Sequence, residues 1–200
     1  MHEILSEQAL DESMRLFWLR GYFNTPIDAL VRASGLNRAI IYQRYGGKEG
    51  FFIAMLERYW TRRSQQAFAI LRQDEPGLGA IRQFLNGFID KSEKGVLSHG
   101  CFYIATASEL PSHQARVKVL IHQFIEQLGA LFQQAMSRAR ERGEITEDVD
   151  IEACADFLLA NVFGLLSLAR AEHRRERVRH QISMLEVFLS TLLHNNSQDK

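Results

Sequence analysis

Apolar residues in this chain recur at intervals of three and four almost from end to end, and strict alternation of apolar and polar residues is absent. That spacing marks one face of a helix, whereas a half-buried strand would alternate. Breakers are scarce, since only Pro26, Pro76 and Pro111 and 13 glycines interrupt the 200 residues. The pattern predicts an all-α protein. With 46% hydrophobic residues, a chain of this length can bury a core without covalent staples. Cys101 and Cys154 form neither a disulfide framework nor a metal-ligand spacing, which points to a reducing, cytoplasmic compartment. Lysine plus arginine and aspartate plus glutamate both number 24, so a polybasic coat for nucleic acid is excluded while a local basic patch is not. The first seven residues carry acids where a secretory signal carries bases, and no run of 18 uninterrupted apolar residues occurs. Neither a signal peptide nor a membrane span is therefore expected.

The breakers divide the chain into elements. A first helix is predicted over residues 6–20, with Leu10, Met14 and Phe17 on one face and Gly21 as its stop. Thr25 and Pro26 read as the cap and first residue of a short helix over 26–33, which Ser34 and Gly35 end. Asn37 caps a third helix over 38–45, closed by Gly46 and Gly47, and a fourth is expected to run unbroken over 48–72. Beyond the break at 74–77, helices are predicted over 78–92, 101–109, 113–142, 150–170 and 175–193, followed by a frayed polar tail at 195–200. The change in helix length places a domain boundary at residue 48: a three-helix head, 1–48, and a helical remainder, 49–200.

Two short helices joined by a turn of three or four residues containing Gly35 have the geometry of a helix-turn-helix, whose second helix enters the DNA major groove. Between Ala29 and Gly47 the chain carries Arg32, Arg38 and Arg44 and no acid, and Lys48 follows at once. Positive charge is thus concentrated where phosphates would lie. Ile41 and Tyr45 share a face with Leu36 below, so Arg38, Ala39, Tyr42 and Gln43 are expected to point outward with Arg44 at one flank. Arginine suits guanine edges, glutamine suits adenine edges, and tyrosine and lysine reach phosphate oxygens. Spacing alone would also fit any three small amphipathic helices with glycine turns.

The run Leu16-Phe17, Gly21-Tyr22, Thr25-Pro26-Ile27-Asp28-Ala29-Leu30, Ala33-Ser34-Gly35-Leu36-Asn37, Ile41-Tyr42-Gln43-Arg44-Tyr45 and Lys48-Glu49-Gly50-Phe51 resembles the N-terminal signature of the TetR family of transcriptional repressors. The resemblance covers about the first quarter of the chain. It implies a homodimer, a three-helix DNA-binding head and an all-α domain that binds a small effector. By position it implies that Thr25, Tyr42 and Lys48 contact phosphates, while Arg38, Ala39, Gln43 and Arg44 meet bases or nearby backbone. The family usually has Ser or Thr where Asn37 stands and Phe where Tyr45 stands; both changes keep the physics, a cap and an aromatic plug. The partner expected is double-stranded DNA carrying a palindromic operator.

The predicted helix over 150–170 is apolar nearly all round, and its small residues would allow close approach of a second helix. Phe157, Ala160, Gly164 and Ser167, with Ile182, Leu185 and Leu189 on the last helix, are the expected dimer interface. The competing reading makes both helices monomer core. Aromatics crowd the middle helices, and Phe84, Phe88, Phe102, Tyr103, Phe124 and Phe163, with Cys101, are candidates to line an effector pocket for an apolar or aromatic molecule. Ordinary core packing is the alternative for each. Gly100-Cys101-Phe102 through Glu109-Leu110 resembles a stretch that recurs in one branch of the family. Cys101 follows His99 at a predicted helix start, where a thiolate is favoured, so it reads either as a sensor of electrophiles or oxidants or as a small packing residue.

No catalytic constellation is found, and no cofactor is expected. The seven histidines show no metal-ligand spacing, and neither a phosphate-binding glycine loop nor a nucleophile elbow occurs. A helical enzyme using the aromatic residues and an adaptor binding a protein partner stay open as alternatives. The salt dependence of binding separates the adaptor from a DNA-binding protein.

Overall fold

The computed structural model describes residues 6–73, 77–172 and 174–193. The sequence break at 74–76 and the polar tail at 195–200 lie outside the described residues. What is described is all-α, in two compact units.

The first unit takes in residues up to Gln65 together with Phe102–Ile121. Helix α1 (Glu7–Arg20) starts where the Ser6 hydroxyl accepts the Ala9 N–H at 3.1 Å. It stops at Gly21, whose φ of +78° is one that L side chains rarely adopt. Helix α2 (Ile27–Ser34) begins one residue later than expected, with Pro26 as its N-cap residue. Thr25 does not cap it, because its hydroxyl donates backwards to the Gly21 carbonyl at 2.6 Å. Helix α3 (Arg38–Tyr45) is capped by Asn37, which accepts the Ala39 N–H at 2.9 Å.

Helix α4 (Lys48–Tyr59) does not continue as uniform α-helix. A π turn over Trp60–Ser64 intervenes before α5 (Gln65–Leu71), correcting the unbroken helix expected there. Such insertions are recurrent at functional sites and interrupt the regular hydrogen-bond ladder. Arg58 pairs with Asp11 at 2.7 Å and Glu7 at 2.8 Å, and Arg62 pairs with the same two acids, which ties α4 and the π turn to α1. Helix α7 (Phe102–Ala107), a 3-10 turn at Leu110–Ser112 and the first residues of α8 (Ala115–Glu141) complete this unit. Its core is aromatic: Phe17 meets Phe52 edge-on at 5.0 Å, and Phe52 meets Phe102 at 5.5 Å.

The second unit takes in Gln66–Cys101 and the residues from His122 onward. Within it α6 (Gly77–Glu93) starts on the Glu144 carboxylate, which accepts the Gly77 and Leu78 N–H groups at 2.9 and 3.0 Å. Helix α9 (Ile151–Glu172) and helix α10 (Arg175–Thr191) follow, and α10 packs along α6. Val178, Ile182, Leu185 and Leu189 are buried there, and Arg82 pairs with Glu186 at 2.9 Å. Ile182, Leu185 and Leu189, expected at an interface from their stripe, are already covered within the single chain by its own packing.

Helix α9 is the most apolar of the described helices: an 18-residue window within its 22 residues reaches a mean hydropathy of 1.6, long and apolar enough by length and composition to cross a membrane. Only 28% of that apolar window is buried within the chain. Phe157, Ala160 and Ser167 are exposed and Gly164 is half-buried. On α10, Met184 and Val187 are exposed, and Phe188 meets Phe157 at 4.5 Å.

Candidate nucleic-acid interface

The turn between α2 and α3 is built from local bonds. Gly35 adopts the left-handed conformation, and its N–H donates to the Val31 carbonyl at 2.9 Å. Ser34 closes the same turn, with its hydroxyl donating to the Leu30 carbonyl at 2.6 Å and accepting the Leu36 N–H at 3.1 Å. The chain thereby leaves α2 with its last carbonyls satisfied and enters α3 in register.

Helix α3 buries Ile41 fully against the head, with Leu36 buried beneath it and Tyr45 half-buried. Arg38, Ala39, Tyr42, Gln43 and Arg44 are all exposed, which brings the five recognition candidates onto one open surface. Tyr42 is 53% exposed although it is a large aromatic residue. Arg38 pairs with Asp28 of α2, an acid lying one position before the acid-free stretch. Both side chains are more than half exposed, so the pair orients Arg38 more than it stabilises the fold.

Lys48 and Thr25 lie outside α3 and are less open. Lys48 opens α4, half-buried, with its ammonium 4.4 Å from the centre of the Tyr22 ring. Burial lowers its pKa and the Glu109 carboxylate opposes that shift. Thr25 is fully buried and its hydroxyl is engaged by Gly21, so it shapes the turn before α2 from beneath.

Two residues that sequence reasoning left unassigned stand behind this arrangement. Glu109 accepts the Tyr22 N–H at 3.1 Å, and His113 places Nε2 3.7 Å from the same carboxylate oxygen. The His113 side chain is 1% exposed. Its ring stacks on Phe52 at 5.5 Å and meets Tyr22 and Phe23 each at 5.1 Å. Glu109 belongs to the stretch that resembles one branch of the family, and nothing in its neighbours along the chain marks a partner 87 residues away. His113 looked like a helix start and carries no local signal of burial.

Burial lowers the His113 pKa despite the attraction of Glu109. The unfolded chain takes up a proton near pH 6.5 that the folded chain resists, so the unfolded state binds more protons on the acid side. Stability is accordingly full above about pH 6.5 and falls as pH drops below it. Thermal unfolding of wild type and His113→Gln between neutral and mildly acid pH checks this. The variant is expected to be the less acid-sensitive of the two, and equal acid slopes would remove His113 as the cause.

The effector candidates are distributed over both units. Phe102 lies in the first unit among Trp18, Phe52 and Tyr59, at 5.5 to 6.5 Å, and Tyr103 donates its hydroxyl to the Leu56 carbonyl at 3.3 Å. Phe84 and Phe88 meet at 5.2 Å in the second unit, where Phe84 also touches Phe132 at 5.6 Å. Phe124 rests on Phe68 at 5.4 Å, and Phe163 is half-buried on α9. Cys101 is buried at the residue before α7, and Arg170 donates to the carbonyl of the nearby His99 at 3.3 Å. Among the described residues no group of three or more His, Cys, Asp or Glu is placed to hold a metal.

Residues 9–55 match the family described as bacterial regulatory proteins, tetR family, and residues 77–185 match the tetracyclin repressor-like C-terminal domain. The chain is 28% identical over 165 residues to the HTH-type transcriptional repressor ComR of Escherichia coli, covering 82% of this chain and 79% of that protein. Its fold resembles a TetR transcriptional regulator from Chloroflexus aurantiacus, with a TM-score of 0.82, 23% identity and 94% of each chain covered. It also resembles a cysteine variant of the regulator CifR solved with 26-base-pair operator DNA, with a TM-score of 0.81 and 22% identity. That likeness covers 96% of this chain and 98% of the other.

Proposed function

This chain belongs to the TetR family of bacterial regulatory proteins, and on that footing we propose that it is a dimeric repressor released from a palindromic operator by a small apolar or aromatic molecule. It is a sequence-specific DNA-binding transcriptional regulator. The observation that carries the reading is the open face of α3, where Arg38, Ala39, Tyr42, Gln43 and Arg44 are exposed together while Ile41 anchors the helix from behind.

On this reading residues 1–48 form the DNA-binding head and residues 49–200 carry effector binding and dimerisation, in the cytoplasm. Arg38, Ala39, Gln43 and Arg44 meet bases or adjacent backbone, and Tyr42 and Lys48 contact phosphates. Thr25 contributes by holding the turn that presents them. The apolar face of α9 left open in a single chain, with Phe157, Ala160, Gly164 and Ser167, packs against a second copy about a two-fold axis. Met184 and Val187 of α10 extend that face. Two such heads match half-sites one DNA turn or a multiple of it apart. The aromatic residues of the helical remainder accept the effector, whose differential affinity for the two states supplies a coupling of about 1–3 kcal/mol. Binding, with no catalytic turnover, accounts for the whole activity.

Selection of bound sequences from a random DNA pool by the purified protein tests the reading. A palindromic consensus is expected, and no enrichment at any salt concentration would overturn it. On the selected operator, Lys48→Ala is expected to weaken binding uniformly across sequences and to lower the salt slope by about one unit. Tyr42→Ala is expected to weaken binding with the dimer still folded. Wild-type affinity in both would displace the recognition surface from α3.

A further inference from the structure

Glu109 lies outside the three-helix head in sequence yet bonds to it. Its carboxylate accepts the N–H of Tyr22, immediately after the Gly21 stop of α1. Glycine suits that stop: its φ is +78°, which L side chains rarely adopt, and a Cβ there would fall 2.0 Å from Glu109 Oε1 and push the carboxylate away. Glycine there is what lets a carboxylate from residue 109 reach the α1 terminus. The Tyr22 ring is the surface beneath the Lys48 ammonium, 4.4 Å from its centre. The same carboxylate attracts Lys48 and opposes the effect of burial on it. His113 closes the corner from the other side, packed on Tyr22 and Phe52.

We propose that Glu109 is a positioning residue for DNA recognition: by gripping the Tyr22 amide, it sets the turn between α1 and α2 and holds in place the residue on whose ring the phosphate-binding lysine rests. The inference rests on the assignment of Lys48 to a phosphate. Glu109 itself touches no DNA. Its effect runs through Lys48, so the two substitutions must be coupled. An acid this near a phosphate contact would otherwise only repel DNA, and its removal would then tighten binding.

The test uses the full chain and the operator recovered by selection, with Glu109→Ala, Glu109→Gln, Lys48→Ala and the double variant Lys48→Ala/Glu109→Ala, all below their unfolding temperatures. Glu109→Ala is expected to speed hydrogen exchange at the Tyr22 amide and to weaken operator binding on the order of tenfold, the scale of a hydrogen bond to a charged group. Glu109→Gln keeps an acceptor and the side-chain length. It is expected to retain the Tyr22 protection and recover part of the affinity, which separates positioning from loss of fold. In the Lys48→Ala background the further loss on removing Glu109 should shrink markedly. Wild-type affinity or tighter binding in Glu109→Ala overturns the proposal, as does an equal loss in both backgrounds. A wild-type chain that binds no DNA sequence overturns the DNA-binding reading itself, an outcome distinct from any of these.

Discussion

Gly77→Ala is expected to lose roughly 3 kcal/mol or more of stability, read as a lower urea midpoint with an unchanged slope. A Cβ at this position would lie 2.1 Å from the Ala135 carbonyl oxygen, 2.4 Å from the Ala139 nitrogen and 2.9 Å from the Ala139 Cα. All three are backbone atoms of α8, so no side chain can rotate aside to make room. Helices α6 and α8 would have to part, and Ala135 and Ala139, both fully buried, would lose their packing. Parting them also draws the Gly77 and Leu78 amides away from the Glu144 carboxylate that caps α6. Gly87, on the same helix with no atom within 4 Å of its Cβ position, is the internal control. Gly87→Ala is expected to gain about 0.5–1 kcal/mol, because alanine loses less backbone freedom in a helix. Equal stability of the two variants would show that α6 and α8 do not approach as described.

Phe52→Ala should cost about 3–5 kcal/mol, the range for truncating a buried aromatic residue. Phe52 is 1% exposed and meets four rings: Phe17 at 5.0 Å, Tyr22 at 5.1 Å, Phe102 at 5.5 Å and His113 at 5.5 Å. Those partners come from α1, from the residue Glu109 grips, from α7 and from the corner before α8. One side chain therefore ties α1 and Tyr22 to α7 and His113, and alanine there would leave a cavity among those rings. Operator affinity should fall in the fraction that remains folded, since Tyr22 loses the surface on which it rests. Chemical denaturation followed by operator titration reads both effects. A stability loss below about 1 kcal/mol would mean that the rings close over the cavity.

Much of the head was legible in the sequence because its determinants are local. Asn37 was recognisable as a cap, and Ile41 and Tyr45 as the inward face of α3, from neighbours within four residues. The error at Thr25 was also local in origin. A threonine before proline resembles a cap, but here its hydroxyl reaches back to Gly21. The π turn at Trp60–Ser64 left no legible mark, because only Trp60 of its five residues is apolar and one residue cannot show a change of period. On α10 the stripe of Val178, Ile182, Leu185 and Leu189 was visible, but periodicity says only that a face is covered and not what covers it.

By itself the sequence determined the helices, most of their ends, the turn between α2 and α3, and the outward set from Arg38 to Arg44. Each depends on backbone preferences, caps and spacing over one or two turns, which a linear chain already contains. Only the tertiary structure decided that Glu109 reaches Tyr22 across 87 residues and that Glu144 caps α6 across 67. It also decided that His113 is sealed among aromatic rings, and that Ile182 faces inward while Met184 is left open. These depend on which surfaces meet. A carboxylate carries no mark of the amide it will satisfy until folding brings the two together and water is excluded from between them.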